Sequence, residues 1–296
     1  MKEFDGRLKA KYAAEFITPQ KLRQFISDKV SGNNLRVLEP AVGSGQLLFN
    51  LIDRINSVEG FDVNNDALVY AKENFGNKAI LHNLDFITAE IKEYDVAISN
   101  YPFSLKPTDE QQAYILADPF LSRFYNGKVT GVLDIVFILK SFNAVQEGYY
   151  LCFPGIGYRG SEKRFREWLI SNKHIQEYGL IEECAFEHTS ISILFLHLTK
   201  KPNERVNSFR LNLKTGYIVE SSITLTDHLE IPYEEIEREV INPVELEETA
   251  RKNVERVVMA QIKISRMIWE IDELIHERLP SVDEWKRELI GIIELS

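Results

Sequence analysis

The run Leu35-Arg36-Val37-Leu38-Glu39-Pro40-Ala41-Val42-Gly43-Ser44-Gly45, continuing into Gln46-Leu47-Leu48-Phe49-Asn50, constrains this chain more than any other stretch. Leu35, Val37 and Leu38 predict a short buried strand that runs straight into a Gly-rich turn. Residues 46–52 predict the helix that the turn opens, with first amides that lack intrahelical partners. A strand, turn and helix in that order is how an open α/β sheet makes a nucleotide-sized hollow at the carboxyl ends of its strands. Gly43 and Gly45 let the backbone approach a ligand closely or take a positive φ. The spacing is neither G-x-G-x-x-G nor a phosphate-binding loop. Glu39 would repel a pyrophosphate but suits a cationic or hydroxyl-bearing ligand, so the stretch points to a nucleoside cofactor without phosphates. A purely structural turn is the alternative.

The chain has 296 residues, longer than one typical domain. It is read as an α/β domain over residues 1–200 with an appendage over residues 201–296. A formal net charge of -10 argues against a protein that coats nucleic acid by itself. Cys152 and Cys184 are too few for a disulfide framework and fit a reducing, cytoplasmic setting. No long apolar run or basic-flanked apolar leader points to a membrane span or secretion. The histidines show no ligand spacing, so no metal is expected.

Taken in order, Thr18 is predicted to cap a helix that begins at Pro19 and runs to about residue 30, burying Leu22, Phe25, Ile26 and Val30. After the central strand and helix come a strand over 58–63, a helix over 67–74 capped by Asn65-Asp66, and strands over 79–82 and 94–99. Asp62, Asp85 with Phe86, and Asn100-Tyr101-Pro102-Phe103 stand at strand ends, which in a parallel sheet share one rim. Residues 104–128 read as a long crossover with short helical pieces that covers the site. A helix over 132–146, a strand over 148–153, a helix over 161–170 and strands over 178–181 and 191–198 follow. Residues 203–219 suggest a hairpin. Residues 227–248 form an acidic stretch, and residues 247–278 a long helix. There Val254, Gln261, Ile268 and Ile275, and likewise Val257, Ile264 and Ile271, recur every seven residues. That seam packs on its own domain or pairs with a partner subunit.

With these residues in view, the chain resembles the S-adenosylmethionine-dependent methyltransferases that modify adenine in DNA on its exocyclic N6 nitrogen. It is most similar to the modification subunits of type I restriction-modification systems. The matching pieces are Phe16-Ile17-Thr18-Pro19, Glu39-Pro40-Ala41-Val42-Gly43-Ser44-Gly45, Gly60-Phe61-Asp62, Asn83-Leu84-Asp85-Phe86 and Asn100-Tyr101-Pro102-Phe103. The resemblance implies a Rossmann-like class I methyltransferase fold: a mostly parallel twisted sheet with helices on both faces, plus a small, mainly helical C-terminal region. It implies S-adenosyl-L-methionine as cofactor, with Phe16, Thr18 and Pro19 closing over its methionine end and Glu39, Pro40, Ala41, Gly43 and Gly45 around the methionine part. Asp62 would take the ribose, Val63 is among the cofactor-binding residues, and Asp85 with Phe86 would meet the adenine. Asn100 and the Tyr101 carbonyl would hold the target amine, Pro102 would shape the turn, and Phe103 would stack on a base rotated out of the duplex.

The chain departs from the family at Tyr101, where relatives commonly carry proline. This leaves the carbonyl in place but brings a bulky ring near the target pocket. Type I-like subunits also have a longer helical N-terminal domain and work with a specificity subunit. The acidic C-terminal part and its seam are therefore expected to recruit a partner that brings DNA. RNA or protein-amide methylation, and a weakly active or inactive assembly role, are the competing readings.

Overall fold

The computed structural model describes residues 18–182, 192–216, 218–223, 225, 229, 251–257, 259–261, 263, 264 and 267. Its centre is explained by strands buried on both faces, which must read as near-continuous apolar runs. In β5 (Glu147–Cys152), Tyr149 and Leu151 enter one core and Tyr150 and Cys152 the other. In β7 (Ile193–Thr199), Ile193 and Phe195 part in the same way from Leu194, Leu196 and Leu198.

Among the described residues the sheet has nine strands in the order β3-β2-β1-β4-β5-β7-β6-β8-β9. Strands β1 (Leu35–Glu39), β2 (Ile55–Phe61), β3 (Ala79–His82), β4 (Val96–Ser99) and β5 run parallel. β7 is antiparallel to both β5 and β6 (Ile175–Ile181). β8 (Val206–Leu211) lies parallel to β6, and β9 (Ile218–Ile223) antiparallel to β8. Strand order reverses between β1 and β4, which opens a crevice at their carboxyl ends.

On one face sit α1 (Gln20–Lys29), a 3₁₀ segment Gln46–Arg54 and α2 (Asn65–Phe75). On the other lie α4 (Asp134–Asn143) and α5 (Lys163–Ser171), together with Ile115 of α3 (Asp109–Ala117). α1 is braced along its length. Lys29 Nζ meets Glu177 Oε1 at 2.6 Å, the Phe25 ring packs edge-on to Phe195 at 5.1 Å, and Arg54 Nη1 donates to the Val30 carbonyl at 2.7 Å.

Several expectations need correction. The helix expected after the Gly turn is present as a 3₁₀ helix; its i-to-i+3 bonding winds it tighter than an α-helix while Leu47, Leu48 and Leu51 bury. Thr18 does not cap α1: Pro19 holds the N-cap position with no side-chain bond, and the Thr18 hydroxyl turns to Asn100 instead. α2 is capped by Asn64, whose side chain accepts from the amides of Asp66 and Ala67. The crossover, as expected, holds short helical pieces, α3 and a 3₁₀ turn Leu121–Phe124. The hairpin of β8 and β9 continues the main sheet, so residue 200 is not a break in packing; one compact unit runs Met1–Glu234 and a second Glu235–Ser296.

In the second unit the described residues 251–257, 259–261, 263, 264 and 267 are helical. Val254, Val257, Gln261 and Ile264 of the expected seam are exposed there, while Ile268, Ile271 and Ile275 lie outside the described residues, as do Phe16 and Cys184. No helix among the described residues is long and apolar enough to cross a membrane.

Candidate cofactor and substrate site

Pairing of β1 with β2 and β4 brings three strand ends together, with Glu39 opposite Gly60 and Leu38 opposite Ala97. Beyond β1 the chain turns at once. The Val42 amide bonds to the Phe61 carbonyl at 2.9 Å and the Gly45 amide to the Val42 carbonyl at 2.8 Å. Gly45 sits at φ 81°, and a Cβ there would lie 2.4 Å from the Phe75 ring, so no other residue fits this turn.

Glu39 is 1% exposed, and among the described residues neither carboxylate oxygen has a hydrogen-bond partner, although the Ser99 hydroxyl and the Ala41 amide lie beside it. Burial pushes its pKa well above the usual carboxylate range, opposed by Ser99 and the Ala41 amide. A buried acid with empty acceptors is a site awaiting a donor. Gln46, just past the turn, is in the same condition, with both amide atoms buried and unpartnered. It escaped sequence reasoning, though a long polar side chain opening an otherwise apolar helix was the available signal.

Asp62 follows β2. Its Oδ2 accepts from the Gly43 amide at 2.8 Å and its Oδ1 from the Asn64 amide at 2.8 Å. The carboxylate therefore ties the turn to β2 and keeps lone pairs for a further donor. Burial raises its pKa, while the amides of Asn64, Gly43 and Val63 lower it. Val63 is exposed beside it, and so is Leu84 after β3, a residue of a matching piece to which sequence reasoning assigned no role; two bare apolar side chains flank the rim here.

Asp85 lies past β3. Its Oδ1 accepts from the Ile87 amide at 2.9 Å and its Oδ2 from Gln111 Nε2 at 2.7 Å. Phe86 is 2% exposed and stacks on Phe137 at 5.8 Å, so its ring belongs to the core rather than to the open rim.

At the end of β4, Asn100 Nδ2 donates to Thr18 Oγ1 at 3.2 Å. That bond uses one N–H of the carboxamide, while Oδ1 is buried with no partner among the described residues. Tyr101 overturns the expectation of a ring in the pocket. It is 1% exposed and stacks on Phe137 with centroids 5.2 Å apart and planes within 6°. Its hydroxyl faces the Cys152 thiol, and burial holds the phenol well above its usual range. Adjacent extended residues point to opposite faces, so Asn100 and Tyr101 part ways. Pro102 and Phe103 are half-buried, with the Phe103 ring edge-on to Tyr101 at 6.0 Å.

The next residues are held from the other side. Ser104, at φ 60°, donates its amide to Asp134 Oδ1 at 2.9 Å, and the Leu133 amide bonds to the Leu105 carbonyl at 2.8 Å. Asp134 is fully buried, and burial lifts its pKa to about 6 against the Ser104 amide and Arg159.

Comparison with known proteins gives a family and a fold. The sequence profile of a family described as N-6 DNA Methylase matches residues 2–240. The fold is similar to the type I restriction-modification methyltransferase subunit of Streptococcus thermophilus, at 21% identity and TM-score 0.57 over 74% of this chain and 50% of that one. It is similar to a modification subunit classed with type I restriction enzymes from Vibrio vulnificus, at 15% identity and TM-score 0.58 over 69% and 49%. A chain from Listeria monocytogenes classed as a class I S-adenosylmethionine-dependent methyltransferase aligns at 19% identity and TM-score 0.55 over 66% and 65%. The chain spans about half the length of the first two. No curated protein matches.

Proposed function

Since the chain belongs to the N-6 DNA methylase family, we propose that it transfers the methyl group of S-adenosylmethionine to the exocyclic N6 amine of adenine in DNA. The observation that carries this reading is Asn100, whose carboxamide gives an N–H to Thr18 while its carbonyl oxygen is buried without a partner among the described residues. Such an oxygen is a preset acceptor for an N–H donor, and an exocyclic amine is one.

The residues fit the cofactor. Glu39, buried and unpartnered, suits the cofactor's ammonium, with Gln46 beside the turn able to reach its polar end. Asp62 has lone pairs left for the ribose hydroxyls, and Asp85 with the exposed Val63 and Leu84 frames the base. Thr18 and Pro19, with the backbone of Pro40, Ala41, Gly43 and Gly45, surround the methionine end, and Phe16 is assigned there from the resemblance alone. When bound, the cofactor supplies a methyl group on a positively charged sulfur.

The protein's task is to prepare the amine. Adenine's amino lone pair is delocalised into the ring, which makes it a poor nucleophile. Two acceptors, Asn100 Oδ1 and the Tyr101 carbonyl, draw its hydrogens toward them, favour a more nucleophilic geometry and stabilise the positive charge that grows on nitrogen. No strong base is needed before transfer, and the methylated nitrogen gives up one proton to water afterwards. Phe103 then offers its ring to a base that has left the duplex. Tyr101 does not favour an inactive role, because its side chain leaves the pocket clear. The net charge of -10 favours delivery of DNA by a protein partner in the cytoplasm, engaged through residues after Glu234.

The test is a transfer assay with tritiated S-adenosylmethionine in an extract of the source cells, to which the parent or the Asn100→Ala chain is added. Label in DNA as N6-methyladenine, lost with Asn100→Ala while cofactor affinity stays within about twofold, supports the reading. Label confined to RNA or protein, or unchanged by Asn100→Ala, overturns it.

A further inference from the structure

We infer that Gln111 is a positioning residue for the cofactor's base, so that α3 belongs to the cofactor site. Gln111 holds the Asp85 carboxylate in the orientation that accepts the base's exocyclic amine; this rests on the role proposed for Asp85.

Gln111 occupies the third position of α3, in a capping box. Thr108 Oγ1 accepts from the Gln111 amide at 3.2 Å, and Gln111 Oε1 accepts from the Thr108 amide at 2.8 Å. With its carbonyl oxygen committed to the cap, the side chain can present only its amine outward. That amine donates to Asp85 Oδ2 at 2.7 Å. The other oxygen, Oδ1, is held by the Ile87 amide of Asp85's own turn. The carboxylate is thus gripped at both ends, once locally and once by a helix in the crossover.

A second side chain fastens the same two elements. Lys140 Nζ donates to the carbonyls of Ile87 and Ala89, each at 2.6 Å, and to the Tyr114 hydroxyl at 3.1 Å. Tyr114 stands three residues after Gln111, on the same face of α3. The helix is therefore pinned to residues 85–89 at two points on that face. A capping box alone needs no third partner, yet this one reaches into the cofactor rim.

The consequence is chemical selection. A carboxylate fixed in one plane rewards an amine at the matching position of a purine and discriminates against a carbonyl there, which brings oxygen against oxygen. A carboxylate free to rotate loses part of that preference.

The test uses the full chain and calorimetric binding of S-adenosylhomocysteine and its deaminated counterpart S-inosylhomocysteine. Gln111→Glu keeps the capping box, since Glu serves there as well as Gln, but sets a carboxylate against Asp85. Gln111→Ala removes the grip outright. Both variants are expected to weaken S-adenosylhomocysteine binding by about tenfold, the worth of one hydrogen bond to a charged group, and to narrow its preference over the inosyl ligand. Weakening by Gln111→Glu alone, with Gln111→Ala like the parent, would signal introduced repulsion and overturn the inference. Parental affinity and preference in both variants would also overturn it, provided Asp85→Ala loses both. If Asp85→Ala too binds like the parent, the role of Asp85 itself fails and takes this one with it.

Discussion

Restoring the family's proline at position 101 should damage this protein. The Tyr101 ring is 1% exposed, lies flat on Phe137 at 5.2 Å and meets Phe103 edge-on at 6.0 Å. Removing a large aromatic side chain from a packed core costs about 3–5 kcal/mol, of which a stacked ring pair accounts for about 0.5–1.5 kcal/mol. Proline leaves a few carbons behind, so Tyr101→Pro should fall near the lower end, about 3 kcal/mol. For a domain of this size that is a drop in Tm of about 6–12 °C. Tyr101→Phe keeps the ring and loses only a hydroxyl that faces the Cys152 thiol, so it should stay within about 1 kcal/mol of the parent. Urea and thermal unfolding of the three proteins measure this directly, with S-adenosylmethionine affinity as the control for an intact site. Two results would refute the reasoning: Tyr101→Pro melting with the parent, or Tyr101→Phe leaving Tm alone while raising KM for DNA. The second would place the ring against substrate after all.

Other outcomes follow from the same geometry. Burial holds the Glu39 proton more tightly than usual, and an ammonium beside it must lower that pKa. Cofactor binding should therefore release protons at pH values between the free and bound pKa, which calorimetry in two buffers of different ionisation enthalpy detects; Glu39→Gln should weaken binding and abolish the release. Burial lifts the Asp134 carboxyl from 3.8 to about 6, so the native state binds its proton more tightly, and this group's contribution to stability falls as pH climbs through that window. Asp134→Asn should gain on the parent by on the order of 2 kcal/mol between pH 3.5 and 7 in urea unfolding, and a pH-independent difference counts against it. Gly45→Ala forces a Cβ to 2.4 Å from the Phe75 ring at φ 81°, and should cost about 2 kcal/mol or more by the same assay together with most of the cofactor affinity.

Much of this was legible in the chain itself. The apolar residues within 35–38 and 193–198 announced buried strands, and Glu39, Asp62, Asp85 and Asn100 at or just past the ends of the early strands marked the rim. What stayed hidden depended on direction and distance. Nothing in Asn100-Tyr101 tells which neighbour faces the crevice and which the core; Phe137, Cys152 and Phe103 decide it. Thr18-Pro19 carries a good capping pattern, and only the arrival of Asn100 diverts the hydroxyl. Parallel pairing of β8 with β6 joins residues about thirty apart, as Tyr178 with Ser208, and a hairpin pattern says nothing of the strand beside which it docks. Gln111 looks like an ordinary cap until Asp85 is seen 2.7 Å away.

The brace on α1 bears on how a target would be held. Lys29, Phe25 and the Arg54 contact fix the helix body, and the residue before Pro19 is confined to extended conformations. Thr18 is thus restricted by the proline that follows it, and its hydroxyl accepts from the Asn100 carboxamide at 3.2 Å. Freezing a mobile side chain on binding costs about 0.5–1.5 kcal/mol of entropy; at Asn100 that loss is incurred once, when the chain folds, and an incoming amine finds its acceptor already at rest.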